Sequence, residues 1–182
     1  MHRDELIKYL QVLGTELKKS ELHGEIILTG GASMCLVHSA RDMTKDIDAL
    51  YEPKSEINEL VEKIARKYGL PKDWLNDSVK GFINENAETM DFISFGNLKV
   101  STVTPEYLLA MKLMSSRVEG QDYNDIKFLF RELEVQTSEQ AKAIIERFFP
   151  IDRILPKTKY VIEQCIEELQ QKIEEGPTLD MK

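Results

Sequence analysis

The strongest constraint on the fold is a change in hydrophobic pattern at Thr104 and Pro105. Before this point, short apolar runs typical of strands alternate with amphipathic helical segments. After it, the apolar residues recur at the three- and four-residue spacing of helices. The strand candidates cover residues 25–28, 46–51, 90–95 and 98–103, and the last two are predicted to form a hairpin. Residues 71–86 predict a short helix or an irregular segment packed on the core. Ser55 is the candidate N-cap of the helix after the second strand, and the helix that opens at Pro105 is predicted to end near Arg117. The chain is therefore predicted to be α+β, with a small mixed sheet and its helices followed by a helical C-terminal half.

The same change divides the 182 residues. We predict an α/β core over residues 1–104, a helical region packed on that core over 105–176, and a tail over 177–182. Hydrophobic residues make up 42% of the chain and charged residues 31%. This composition supports a buried core and argues against disorder as the main state.

Charge and cysteine content exclude several classes of protein. The formal net charge of -8 argues against broad, non-specific binding to nucleic acid, although one nucleic-acid end could still be bound locally. Cys35 and Cys165 are far apart, with no histidine at ligand spacing, so a zinc site or a disulfide framework is not expected. No stretch has the pattern of a signal peptide or the length of a membrane span. We therefore expect a cytoplasmic protein with no membrane partner.

Two aspartates stand two positions apart in the strand candidate at 46–51. Alternate residues of a strand point to one face, so Asp46 and Asp48 are predicted to project together, roughly 6.5 Å apart along the backbone. Ile47 then points towards the core. Neighbouring carboxylates repel each other and lose hydration near a half-buried strand, and a divalent cation relieves both effects. The spacing predicts a site for Mg²⁺, or Mn²⁺, completed by substrate phosphates.

A pair of glycines, Gly30 and Gly31, follows the first strand candidate and precedes a short helix. Glycine allows the backbone to approach a bulky ligand, and N–H groups at a helix start favour phosphate. Arg41 is a candidate to bind phosphate or pair with Asp46, and Thr44 to brace the strand. Each piece alone has a simpler explanation, as an ordinary turn or a solvated edge strand. Their order along the chain favours a nucleotide site.

These residues carry a resemblance to a known family. The glycine pair, Arg41, Thr44 and the Asp-Ile-Asp run resemble the core signature of the DNA polymerase β nucleotidyltransferase superfamily. They are more similar still to the bacterial AbiEii-like nucleotidyltransferases, and residues 104–113 and 122–126 are similar to the helices that follow the sheet in those proteins. The resemblance covers roughly residues 25–133. It implies a minimal nucleotidyltransferase fold, Mg²⁺ at the aspartates and a nucleoside triphosphate as donor.

The chain also departs from the pattern of the superfamily. Many members have Gly-Ser where this chain has two glycines, and many use a third carboxylate from a later strand. Asp91 is the positional candidate for that catalytic carboxylate, and Asp77 is a second one.

A lysine in the helical half is a further candidate. Lys112 lies in an otherwise apolar helix, and the resemblance favours a role in binding the triphosphate over a lysine whose stem merely covers the core. Asp122 and Asp125 share a helix face. They either stabilise the helix start or pair with Lys112.

The predicted function is a Mg²⁺-dependent nucleotidyltransferase that moves a nucleotide from a nucleoside triphosphate to an acceptor. That acceptor is a nucleic-acid end, such as transfer RNA, or a protein. Because well-studied relatives work in toxin–antitoxin systems, the resemblance also implies an antitoxin-like protein partner. The alternative is a catalytically silent module of the same fold that binds a nucleotide or a protein.

Overall fold

A computed structural model describes residues 1–81, 83–115 and 120–174, with the backbone alone for 172–174. The predicted helix end near Arg117 and the predicted tail at 177–182 lie outside the described residues. The chain divides into two compact units, Met1–Thr104 and Pro105–Lys182. Each unit is described by itself below.

The first unit combines helices with a five-stranded mixed sheet, which confirms the predicted α+β class. Its elements are α1 (Arg3–Lys19), β1 (Gly24–Leu28), α2 (Gly30–Leu36), β2 (Ile47–Glu52), α3 (Lys54–Tyr68), β3 (Leu75–Asn76), a 3-10 turn (Ser78–Gly81), β4 (Thr89–Phe95) and β5 (Leu98–Val103). The strand order is β3-β2-β1-β5-β4. β1 runs antiparallel to β2 and parallel to β5, while β4 and β5 form the predicted hairpin.

The two faces of the sheet differ because successive side chains of each strand point to opposite faces. Most side chains of one face are apolar and buried, and the leucine stripe of α1 and the apolar residues of α3 belong to the same core. Burial of each such side chain contributes about 1.5–3 kcal/mol. The second face carries half-buried or exposed residues, including Ile27, Asp48, Leu50, Asp91 and Ser101. The candidate site residues of the sheet therefore lie on the face opposite the core.

The second unit is helical throughout its described part, as predicted. Its helices are α4 (Pro105–Ser115), α5 (Gln121–Glu132), α6 (Ser138–Phe148) and α7 (Pro156–Glu174), with a 3-10 turn at Ile151–Arg153. Tyr107 of α4 meets the ring of Phe148 edge-on, with 5.0 Å between centroids. A search of the described residues finds no helix with the length and apolar character needed to span a membrane.

One local prediction was incomplete and one was wrong. Residues 71–86, expected to be a short helix or an irregular segment, do contain the 3-10 turn at Ser78–Gly81, but they also contain strand β3, which pairs in parallel with the start of β2. A strand of two residues is too short to leave an alternating pattern in the sequence. Helix α3 begins at Lys54 with Pro53 as its N-cap, rather than after a Ser55 cap. Pro53 is extended at φ -73°, close to the value its ring imposes.

Candidate functional site

Asp46 and Asp48, here called the carboxylate pair, lie at the start of β2. Asp48 is the second residue of the strand and Asp46 immediately precedes it, so only one of the two belongs to the strand itself. Ile47 between them is fully buried, whereas both aspartates are half-buried. The backbone N–H of Ile47 donates to the carbonyl oxygen of Trp74 at 2.8 Å, which fixes the chain between the two carboxylates.

The two carboxylates influence each other electrostatically. Burial raises the pKa of Asp46 above its usual value, and the negative charge of Asp48 raises it further. The charge of Lys45 acts in the opposite direction, and that of Asp73 adds to the increase. Negative charge is therefore concentrated in a partly desolvated part of the structure. A bound cation would relieve the electrostatic cost of that charge.

The glycine turn lies directly beside Asp48. Gly30 opens α2 with φ +51°, a left-handed conformation that favours glycine. Both the N–H and the hydroxyl of Thr29 donate to the carbonyl oxygen of Asp48, each at 3.0 Å. A β-carbon on Gly30 would lie 3.5 Å from Oδ2 of Asp48. The turn therefore lies next to the carboxylate of Asp48, as the sequence order had suggested.

Arg41 and Thr44 pack over the second glycine. A β-carbon on Gly31 would overlap with the guanidinium of Arg41 and with the hydroxyl of Thr44. This contact gives a physical reason for the missing serine, because a side chain at position 31 would have to displace both residues. The structure thus brings Gly31, Arg41 and Thr44 together next to the carboxylate pair.

Asp91 lies elsewhere on the same face of the sheet. It belongs to β4, and strands β1 and β5 separate β4 from β2, so the lateral distance to Asp48 is about 14 Å at normal strand spacing. Its side chain is 78% exposed and forms an ion pair with Lys99 at 2.9 Å. Hydrogen bonding and charge from Lys99 hold the pKa of Asp91 below its usual value. The structure does not bring Asp91 to the carboxylate pair.

Asp77 is also engaged by a lysine. It forms an ion pair with Lys54 at the start of α3, and this contact lowers the pKa of Asp77. Across the described ranges, no group of three or more histidine, cysteine, aspartate or glutamate side chains has the arrangement of a metal site. Among the described residues, neither Asp77 nor Asp91 therefore forms such a group with Asp46 and Asp48.

Sequence reasoning missed two residues near the pair. The hydroxyl of Ser78 donates to Oδ1 of Asp48 at 3.0 Å, and the charge of Asp73 raises the pKa of Asp46. Both belong to residues 71–86, which were expected to be a short helix or an irregular segment. The one available signal was Trp74, because a tryptophan among polar residues indicates a segment anchored in the core.

Lys112 lies in the second unit, in α4, and is buried with 7% of its side chain exposed. Its ammonium contacts Oδ1 of Asp122 at 3.0 Å and Oδ2 of Asp125 at 2.7 Å. Asp125 is itself 1% exposed, so the two buried charges compensate each other. The pairing that the sequence offered as one alternative is present with both aspartates. A role for Lys112 in triphosphate binding stays a prediction.

The carboxylate pair fits a divalent cation as far as its donors are concerned. Two carboxylates on positions two apart, with a glycine turn beside one of them, supply the oxygen donors that Mg²⁺ or Mn²⁺ takes. Such a cation commonly takes one or two carboxylates and completes its ligand shell with phosphates and water. This arrangement can therefore hold a metal together with a phosphorylated substrate.

We compared the chain with curated proteins, solved structures and models of protein families. None of the curated proteins compared with the chain matches it. Among solved structures, it is similar to that of an antigenic nucleotidyltransferase-like protein from Paracoccidioides brasiliensis, at 15% identity and a TM-score of 0.47, over 85% of this chain and 98% of that one. The family described as nucleotidyltransferase of unknown function (DUF6036) matches residues 5–140. Because this match spans most of the chain, the protein belongs to that nucleotidyltransferase family.

Proposed function

We propose that the protein is a Mg²⁺-dependent nucleotidyltransferase that transfers a nucleotide from a nucleoside triphosphate to an acceptor hydroxyl. One observation carries this proposal: the carboxylate of Asp48, whose charge acts on Asp46, lies beside the turn at Gly30, and Arg41 packs over Gly31. Carboxylates for a cation, a backbone that phosphates can approach and a guanidinium are the groups that a bound triphosphate needs. Membership of the family supports a nucleotide as substrate.

The chain's residues divide the work as follows. Asp46 and Asp48 hold the cation, which supplies neutralising charge at the phosphates and a lower pKa for the attacking hydroxyl when bound. The glycine turn lets the triphosphate lie against the backbone, and Arg41 balances its negative charge. In the transfer, the acceptor oxygen releases its proton to water and bonds to the α-phosphorus, while the bond from that phosphorus to the β-phosphate oxygen breaks and pyrophosphate leaves. Positioning of the reactants is the main contribution of the protein.

The finer assignment extends this proposal. Within the superfamily we place the chain with the AbiEii-like branch, on the glycine pair, Arg41, Thr44 and the Asp-Ile-Asp run. The acceptor is then the end of a transfer RNA or a protein, and an antitoxin-like protein is the expected partner. A reaction that consumes nucleoside triphosphates fits the cytoplasm as its compartment. The net charge of -8 favours an acceptor held at one defined point over a long nucleic-acid track.

A second candidate function has an observation of its own. Within the described residues the two other acidic candidates, Asp77 and Asp91, are paired with lysines and do not join the carboxylate pair. A site with two carboxylates and no third one suits a silent module that binds a nucleotide, or a protein, without transferring anything.

Thermal unfolding with ligand separates these functions. We would titrate Mg²⁺ with each of ATP, GTP, CTP and UTP, and compare wild type with Asp48→Asn. A ligand at a hundred times its Kd stabilises the native state by about 2.7 kcal/mol. A metal-dependent rise in Tm with one nucleotide, lost in Asp48→Asn, identifies the donor, and release of pyrophosphate with candidate acceptors then establishes transfer. The same rise with no transfer to any acceptor supports the binding module. No rise with any nucleotide contradicts the transferase and a module that binds a nucleotide, and favours a module that binds a protein.

A further inference from the structure

The orientation of the Asp48 carboxylate is set by two neighbours. Oδ1 accepts a hydrogen bond from the hydroxyl of Ser78 at 3.0 Å, and Oδ2 lies beside the glycine turn, 3.5 Å from where a β-carbon on Gly30 would be. An exposed carboxylate normally rotates among several rotamers. With one oxygen bonded to Ser78, the other oxygen of Asp48 is directed towards the turn.

Ser78 can hold that carboxylate because the segment before it is anchored in the core. Trp74 is fully buried, and its indole N–H donates to the carbonyl oxygen of Val61 in α3 at 3.1 Å. Its ring also meets that of Tyr9 in α1 edge-on, with centroids 5.8 Å apart. One residue thus ties the segment to both helices that pack under the sheet.

The same segment is joined to the backbone of the carboxylate pair. β3 pairs in parallel with β2, with Leu75 opposite Ile47 and Asn76 opposite Asp48. The N–H of Ser78 donates to the side-chain oxygen of Asn76 at 3.0 Å, so the serine is placed relative to a residue that lies beside Asp48. The hydroxyl is therefore fixed in relation to the carboxylate that it contacts.

We infer that Ser78 is a positioning residue, which holds Asp48 in the rotamer that receives the divalent cation at the glycine turn. This inference rests on the proposed function, since it assigns a role at the same site. Partners that orient a metal ligand are worth about 10–100-fold in metal affinity. Ser78 does not touch the substrate; it acts through Asp48.

The test measures the affinity of the full chain for Mn²⁺ by electron paramagnetic resonance, with Mn²⁺ as the only ligand added. We expect Ser78→Ala to weaken the affinity for Mn²⁺ about tenfold. Ser78→Thr keeps the hydroxyl and recovers most of the affinity. The matched control is Ser101→Ala, because the Ser101 hydroxyl contacts the carboxylate of Asp91 at 3.2 Å, away from the pair. Ser78 is exposed, so the urea midpoint of each variant stays at the wild-type value.

The outcomes separate this inference from the proposed function. Wild-type affinity in Ser78→Ala, together with lost affinity in Asp48→Asn, overturns the positioning role and leaves the proposed function standing. Wild-type affinity in Asp48→Asn overturns the proposed function and the inference with it. If Ser78→Ala does not fold, Ser78→Cys keeps the volume and weakens the donor. Undiminished Mn²⁺ binding by Ser78→Cys then overturns the positioning role.

Discussion

The sheet carries two aspartate–serine contacts on one face, and they differ in what surrounds them. At β2, Asp48 accepts from Ser78 at 3.0 Å; at β4, Asp91 accepts from Ser101 at 3.2 Å. Asp91 is exposed and compensated by Lys99, which lowers its pKa. Near Asp48, burial and a second carboxylate raise the pKa of Asp46 instead. Similar residue types therefore produce opposite electrostatic situations at the two ends of the sheet.

The comparison teaches which aspartates are suited to a cation. An exposed carboxylate with its own lysine is already neutralised, and a surface pair of this kind contributes little to stability. A half-buried pair of carboxylates keeps an energetic cost that the folded protein alone does not remove. The cost at β2 is tolerated because the apolar residues of the strand, with Ile47 among them, are buried in the core. Unrelieved charge, rather than the mere presence of aspartate, marks the candidate site.

The largest expected effect is a difference in transfer rate between two variants, one lacking the Asp46 carboxylate and one lacking the Asp91 carboxylate. We expect Asp46→Asn to reduce nucleotidyl transfer by more than about a hundredfold, since loss of a metal ligand exceeds the loss caused by an outer partner. Asp91→Asn leaves the transfer rate close to that of wild type. The measurement is pyrophosphate release with the donor nucleotide and acceptor identified as above. Equal losses in both variants would mean that Asp91 takes part in the reaction despite its distance from the pair.

The second prediction concerns the close packing of Arg41 and Thr44 at Gly31. Gly31→Ser installs the residue common in the superfamily, yet here it must displace Arg41 and Thr44. We expect the free energy of unfolding in urea to fall by about 1–3 kcal/mol. Arg41→Ala in the same chain should recover part of this loss. The matched control is Gly81→Ser, because a β-carbon on Gly81 would meet no atom of the described residues within 4 Å. If Gly31→Ser is as stable as the control, the packing explanation for the missing serine is wrong.

Much of the fold was predictable because its signals are local. The periodicity of α1 and α3, the hairpin of β4 and β5 and the change to helices at Pro105 all depend on neighbouring residues. The proximity of Gly30 to Asp48 was also predictable, from the order of the elements along the chain. In each case a pattern within a short window carried the information.

The rest depended on contacts between distant segments. Strand β3 is two residues long and exists because Trp74 is buried against α1 and α3, which no local pattern reveals. The contact of Ser78 with Asp48 joins residues thirty positions apart. The position of Asp91 followed from strand order, since β5 rather than β4 pairs with β1. A candidate third carboxylate in the sequence could not be placed without that order.

The smallest expected effect is on stability as a function of pH, and it has opposite signs at the two ends. The pKa of Asp46 is raised in the folded state, so ionisation of Asp46 lowers the stability of the fold. The full loss of stability is present above the folded pKa, and no loss is present below the unfolded value near 3.8. Asp46→Asn should therefore be more stable than wild type at pH 7, and this gain should disappear as the pH falls towards 3.8. The pKa of Asp91 is lowered, so its contribution is present above the unfolded value and is lost as the pH falls through the folded one.

Urea unfolding of wild type, Asp46→Asn and Asp91→Asn without divalent metal, from pH 7 to below the unfolded value of 3.8, measures both differences. Asp91→Asn should be no more stable than wild type at pH 7, because it loses the contact with Lys99. Addition of Mg²⁺ should stabilise wild type and abolish the advantage of Asp46→Asn, since the cation removes the repulsion that the mutation removes. A stability gain in both variants, or in neither, would show that the two ends of the sheet do not differ in charge compensation.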